Sequence, residues 1–162
     1  MHPSAIVTLL CLLAVANGTP VLAKRLAGDV LAYPIDRGFK WRDGQPLLGS
    51  SKTVRGLVLA ILATAVCSPL LDLEWRTGAI VGGAAMAGDM FSSFVKRRMR
   101  LPASSRATGL DQIPESLLPL LVIRLLLPLT VLDITAIVGA FVIGEMLLSR
   151  VLYAWHVRDQ PY

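Results

Sequence analysis

Apolar residues gather into five runs, at about 5–23, 56–73, 78–95, 117–132 and 134–152, separated by segments that hold most of the charge. None of the runs alternates with the two-residue period of a half-buried strand. Each approaches the roughly 20 apolar residues that carry a helix across the hydrocarbon layer. The pattern therefore predicts an all-α integral membrane protein, a single domain over residues 1–162 built as a bundle of about five transmembrane helices. The first run is the least regular, because Asn17-Gly18-Thr19-Pro20 interrupts it. A cleaved signal peptide ending near Ala14-Val15-Ala16 is the competing reading, but no basic residue precedes the run, so it is kept as a span.

The loops are unequal in charge. Lys24, Arg25, Arg37, Lys40, Arg42, Lys52 and Arg55 lie between the first and second runs, and Lys96, Arg97, Arg98, Arg100 and Arg106 follow the third. Arg150 and Arg158 fall in the tail, whereas the opposite loops carry Asp72, Glu74 and Asp133 with only Arg76. Lys and Arg are retained on the cytoplasmic side, which predicts an outside N-terminus, a cytoplasmic C-terminus and cytoplasmic loops at about 24–55 and 96–116. Trp75 at one boundary and Tyr153 and Trp155 at the other fit interfacial aromatic belts.

Composition agrees: 54% of the residues are hydrophobic and 17% charged, which excludes a disordered chain and an ordinary soluble domain. Cys11 and Cys67 both sit in apolar runs, so no disulfide framework is expected. The net charge of +5 is accounted for by orientation and anionic headgroups rather than by nucleic acid. The 24–55 loop, with Pro34, Gly38, Gly44, Pro46 and Gly49, predicts turns at a membrane surface with short structure at most. No internal repeat is present, which weakens a transporter reading.

Three elements carry candidate chemistry. The third run opens with small residues from Gly78 to Gly88, suited to close helix contacts and a central position, and then presents Asp89. An ionisable group inside a span is a functional candidate, although pairing with Lys96 or a neighbouring helix explains it equally. At about 100° per residue, Asp89, Ser93, Lys96 and Arg100 share one face, with Arg97 beside it. The second element, Leu48-Gly49-Ser50-Ser51-Lys52-Thr53-Val54-Arg55-Gly56, lacks the spacing and preceding strand of a Walker loop. Its hydroxyls, bases and helix N-terminus still suit a phosphate, while a plain basic loop is the alternative. The third is Gly109-Leu110-Asp111-Gln112-Ile113-Pro114-Glu115, where Asp111 is either a helix cap or, with Asp89, part of a Mg²⁺-polyphosphate site. Arg124, inside the fourth run, is a further costly charge that a buried pairing with Glu145 and a substrate role explain equally.

Taken in order, Gly88-Asp89-Met90-Phe91-Ser92-Ser93-Phe94-Val95-Lys96-Arg97-Arg98, the Leu48–Gly56 string and Asp111-Gln112 resemble the CDP-archaeol synthase family. Ala16-Asn17-Gly18-Thr19-Pro20-Val21 and Pro34-Ile35-Asp36-Arg37-Gly38 are similar to its first-span and loop motifs, and a more distant likeness runs to phosphatidate cytidylyltransferase. The resemblance implies a nucleotidyltransferase of the cytoplasmic membrane of a prokaryote, its active site facing the cytoplasm. It would transfer CMP from CTP to a lipid phosphate with Mg²⁺, for phospholipid biosynthesis. It implies Asp89, Lys96 and Asp111 as catalytic residues, with Asp89 and Asp111 on the metal and Glu115 as a further carboxylate for it. Lys52, Thr53, Arg55, Ser93, Arg97 and Gln112 would contact substrate. The implied partners are CTP, a lipid phosphate and membrane lipids, with no nucleic acid and homo-oligomerisation left open. The family reads Asp-Gln-hydrophobic-Asp where this chain has Pro114 followed by Glu115, and Val54 stands at a usual Trp. Those departures motivate the alternative of a catalytically silent homologue that binds lipid phosphate or a membrane partner.

Overall fold

The computed structural model describes residues 2–154 apart from 103, 104, 106 and 108, with side chains up to Ser149. Arg106, Trp155 and Arg158 lie outside the described residues, as do the side chains of Arg150 and Tyr153. The elements in order are α1 (Pro3–Ala27), α2 (Val54–Cys67) prolonged by a 3-10 turn at Ser68–Leu71, α3 (Trp75–Arg98), α4 (Gln112–Ile123) and α5 (Val131–Ala154). Among the described residues the architecture is all-helical. α1, Val54–Leu71, α3 and Val131–Ser149 are long and apolar enough to cross a membrane. The protein is an integral membrane helix bundle, as the apolar runs predict.

α1 is one unbroken helix despite Asn17 and Pro20. Asn17 Nδ2 donates to the Leu13 carbonyl at 3.0 Å, and Thr19 Oγ1 to that of Val15 at 2.6 Å. These polar side chains thus bond inside their own helix, the arrangement an apolar solvent demands. Leu9, Leu12, Leu13 and Ala16 recur at helical spacing and bury one face against Val81 and Ala85 of α3, Leu120 and Ile123 of α4, and Ile137 and Phe141 of α5. The outer faces are equally apolar: Leu62, Val66, Leu70 and Leu147 are exposed, as expected where lipid is the solvent.

α3 is central, in contact with α1, α2 and α4, and its glycines explain how. A Cβ on Gly78 would stand 2.2 Å from the Thr64 carbonyl oxygen, and one on Gly82 would stand 2.2 Å from Thr64 Oγ1. Both distances are impossible for a larger residue, so the small-residue stripe lets α2 lie directly on α3.

The fourth apolar run departs from the predicted span at 117–132. The helix begins at Gln112, inside the polar motif, and ends at Ile123. Pro114 is tolerated because it lies in the first turn, where its missing N–H costs no bond. Pro119 is carried inside the helix, and after Ile123 turns bonded to the Val122 and Ile123 carbonyls run through Leu125–Leu127 up to Pro128, past which the helix cannot continue. Twelve residues rise only about 18 Å against a hydrocarbon core of about 30 Å. Residues 124–130 complete the return, because His2 at the start of α1 bonds to Asp133 at the start of α5. Arg124, at the α4 terminus, is exposed and forms none of the ion pairs among the described residues, so the pairing with Glu145 is not observed.

Candidate active site

The end of the bundle opposite His2 is organised by a carboxylate without a transmembrane location. Asp36 Oδ2 accepts the amides of Leu48 and Gly49, each at 2.9 Å, and its Oδ1 accepts that of Gly38 at 3.1 Å. Burial alone raises the Asp36 carboxyl, but the amides of Gly49, Leu48 and Gly38 outweigh it and hold it below its ordinary value. Ile35 N donates to Lys52 O at 2.8 Å, and Val54 N to Tyr33 O at 3.0 Å. Residues 33–38 thereby brace the strand of chain that carries Ser51, Lys52 and Thr53 to the mouth of α2.

Lys52 Nζ lies 2.5 Å from both Oδ1 and Oδ2 of Asp89, each side chain about one-fifth exposed (19%). The pair borders a cavity of about 60 Å³ whose other lining includes Ser51, Thr53, Pro20, Ile35, Met86 and Met90. The Glu115 carboxyl is a charged neighbour of Asp89, and Glu145 and Lys52 are further charged neighbours of Glu115. Glu115 is buried at 7% exposure. Gly88 permits this meeting, because a Cβ there would stand 2.2 Å from the Pro114 carbonyl oxygen and 2.9 Å from the Glu115 Cα. α4 is thus seated against α3 one residue before Asp89. Neighbouring carboxylates repel one another, so a cation is favoured beside such a pair.

A second ion pair lies nearer the end of α3. Lys96 Nζ is 2.7 Å from Asp111 Oδ1 and donates to the Ser105 carbonyl at 2.9 Å. Arg97 Nη2 donates to Pro102 O at 2.5 Å, and Gln112 Oε1 accepts Gly109 N at 2.7 Å. Arg98 turns to the first loop, bonding Asp43 at 2.9 Å and Pro46 O at 2.6 Å, and its guanidinium stands 5.0 Å over Phe94. Trp41 meets the same Phe94 ring edge-on at 5.8 Å. The basic cluster therefore fastens both polar loops to the end of α3.

The sequence-predicted residues divide into two groups. Lys52, Thr53 and Asp89 converge on the cavity, and Ser93 and Lys96 follow Asp89 down the same buried face of α3. Asp111 sits with Lys96, and seven residues, or about 10 Å of helix rise, separate Lys96 from Asp89. The carboxylate brought against Asp89 is Glu115. Arg55 is directed away, its guanidinium donating to the carbonyls of Val30 and Gly28 where α1 ends. Arg100 leaves the face because α3 stops at Arg98. The α2 N-terminus is also partly occupied: Thr53 Oγ1 accepts Gly56 N at 3.1 Å, and Val54 N is held by Tyr33. Asp36 and Gly88 were not singled out for these tasks. The Asx-type position two residues before Gly38 was a legible signal for Asp36, whereas nothing local marks the partner of Gly88.

The family model described as CarS-like, CDP-archaeol synthase, matches residues 6–162. The CDP-archaeol synthase of Hyperthermus butylicus is 39% identical over 107 residues, 60% of this chain and 59% of that protein. That of Pyrobaculum calidifontis is 30% identical over 153 residues, 91% of each. A solved structure described as an intramembrane enzyme for archaeal membrane lipids biosynthesis superposes with a TM-score of 0.72 at 28% identity, covering 86% of this chain and 91% of the other.

Proposed function

The chain belongs to the CDP-archaeol synthase family, and from that premise we propose that it transfers CMP from CTP to a lipid phosphate, yielding a CDP-activated lipid and pyrophosphate. The relatives' name gives archaeol as their lipid, and the lipid we assign to this chain is accordingly an ether-linked isoprenoid phosphate. The observation that carries the reading is the Lys52–Asp89–Glu115 group beside the cavity at one end of the bundle. A phosphate monoester is already an anion near neutral pH, its second pKa being about 6, so its oxygen attacks the α-phosphorus without a protein base. The bond from the α-phosphorus to the bridging oxygen breaks, and pyrophosphate leaves. What the protein must supply is position and countercharge. Lys52 is placed for the phosphates, and Ser51 and Thr53 offer hydroxyls beside it.

Mg²⁺ prefers one or two carboxylates, retained waters and substrate phosphate oxygens over an all-protein cage. The pair Asp89 and Glu115 fits that demand, and among the described residues no group of three or more acidic, His or Cys side chains forms such a cage. When bound, the ion would neutralise charge on the phosphates. Asp111, held by Lys96, acts in this reading by orienting that lysine. Glu115 also answers the Pro114 departure: the acid is displaced by one residue yet reaches Asp89, which supports an active enzyme over a silent homologue. The excess of Lys and Arg in the loops at this end supports a cytoplasmic orientation, on the side where CTP is found.

Incubation of the purified protein with labelled CTP, Mg²⁺ and either an isoprenoid-ether or a diacyl lipid phosphate tests the proposal. Labelled CDP-lipid, faster with the isoprenoid substrate and lost in Glu115→Gln, is the expected result. Folded protein that forms CDP-lipid from neither substrate overturns it.

A further inference from the structure

Beyond the end of α1 the chain displays apolar side chains where a polar loop is the rule. Val30 is 67% exposed, Leu31 64%, Tyr33 68% and Phe39 59%. The same segment exposes Arg37, Lys40 and Arg42, and Lys24 is exposed in the last turn of α1. Of its acids, Asp36 is occupied by backbone amides and Asp43 by Arg98, so exposed Asp29 stands against the four bases.

This display is held in place. Arg55 bonds the Gly28 and Val30 carbonyls, Val30 N donates to Ala27 O at 3.0 Å, and Ala32 N donates to Asp29 O at 3.1 Å. Leu31 has φ +55°, a left-handed conformation that a leucine adopts at a cost. That backbone holds the side chain outward instead of folding it under the loop. α1 spans 25 residues, about 37 Å of rise, which exceeds the hydrocarbon thickness of about 30 Å and brings residues 26–42 to the headgroup level of the leaflet.

We propose that residues 26–42 form an interfacial plate that docks on anionic lipid headgroups. Val30, Leu31, Tyr33 and Phe39 enter the headgroup–acyl boundary, and Lys24, Arg37, Lys40 and Arg42 face the lipid phosphates. The occupant is the leaflet itself, chosen by charge complementarity and by continuity with the membrane-embedded α1. The plate is joined to the cavity through Ile35, which lines it, and through the Tyr33–Val54 bond. Docking therefore sets the cavity mouth at the depth where phosphate groups of membrane lipids lie. This inference does not rest on the proposed reaction.

The test is site-directed spin labelling of the full chain in nanodiscs, in a Cys11→Ala, Cys67→Ala background. Labels at Leu31→Cys, Val30→Cys and Phe39→Cys are compared with a solvent reference at Ser50→Cys, by collision with oxygen and with a polar nickel chelate. In lipid containing anionic headgroups the plate labels should lie about 5–10 Å below the phosphate level and the Ser50 label in water. In purely zwitterionic lipid they should be shallower. Replacing Lys24, Arg37, Lys40 and Arg42 by Gln should abolish that difference. Val30→Cys, free of the left-handed backbone, serves if Leu31→Cys disturbs the loop. Plate labels in water in both lipids, or equally deep in both, overturn the proposal. Labels shielded from both probes, with a dimer by light scattering, assign the surface to a second copy and overturn it as well.

Discussion

Each end of the bundle holds an aspartate, and the two are treated differently. At one end Asp133 is fully buried. It accepts His2 N at 2.9 Å and Thr130 Oγ1 at 2.7 Å, while His2 Nδ1 and Thr130 N approach at 3.0 Å. Four contacts from two neighbours close it off, and it clasps the start of α1 to the start of α5. At the other end Asp89 is about one-fifth exposed, shares its oxygens with one lysine, borders a cavity and has a second carboxyl as a charged neighbour. A carboxylate fixed by backbone and short side chains is a structural member. One balanced by a lysine on a rotatable stem is available to exchange partners with a metal or a phosphate. The contrast separates site from scaffold more sharply than burial alone, which ranks Asp133 above Asp89.

Substitution at each end tests the contrast. Asp89→Asn keeps the shape and removes the charge; CDP-lipid formation should fall by roughly 10²–10³-fold, the usual cost of one electrostatic element of a site, with the detergent melting temperature nearly unchanged. Retention of most of the activity would place Asp89 among the structural carboxylates. Asp133→Ala should do the reverse, costing about 2–3 kcal/mol of stability through the donors left unpaired, read as a lowered melting temperature with turnover per folded molecule preserved. The smallest effect belongs to Asp36, a third carboxylate that is scaffold by the same criterion. Its carboxyl is depressed by three amides, so its contribution is complete above the unfolded pKa of about 3.9 and is lost as pH falls through the lower folded value. Asp36→Asn should cost about 1 kcal/mol near neutral pH and flatten the acid limb of a melting-temperature profile; an unaltered acid limb would show that the first loop is held otherwise.

Hydropathy located α1, α2, α3 and α5 closely, because a lipid-facing helix must be apolar over its whole length. It failed at α4 for a physical reason: hydropathy records contact with hydrocarbon, whereas helix formation depends on backbone bonds and on where proline permits them. Residues 112–116 are helical, and Glu115 and Ser116 are buried within the bundle rather than against lipid, so the segment reads as loop. Helical spacing puts Arg100 on the Asp89 face, but α3 stops before it, and no local pattern announces that Arg55 meets the carbonyls where α1 ends.

By itself the sequence determined the membrane solvent, the approximate helices, the central place of the glycine-rich span and the family, all of which follow from local composition and contiguous motifs. It also marked Lys52 and Asp89 as unusual. Only the tertiary structure decided which charge meets which. Lys52 crosses to Asp89, Lys96 takes Asp111, and Glu115 rather than Asp111 joins Asp89, because the absent side chain at Gly88 lets the Pro114 carbonyl rest against α3. Pairings of that kind depend on how closely two backbones approach, a distance set jointly by residues far apart in the chain and visible in neither segment alone.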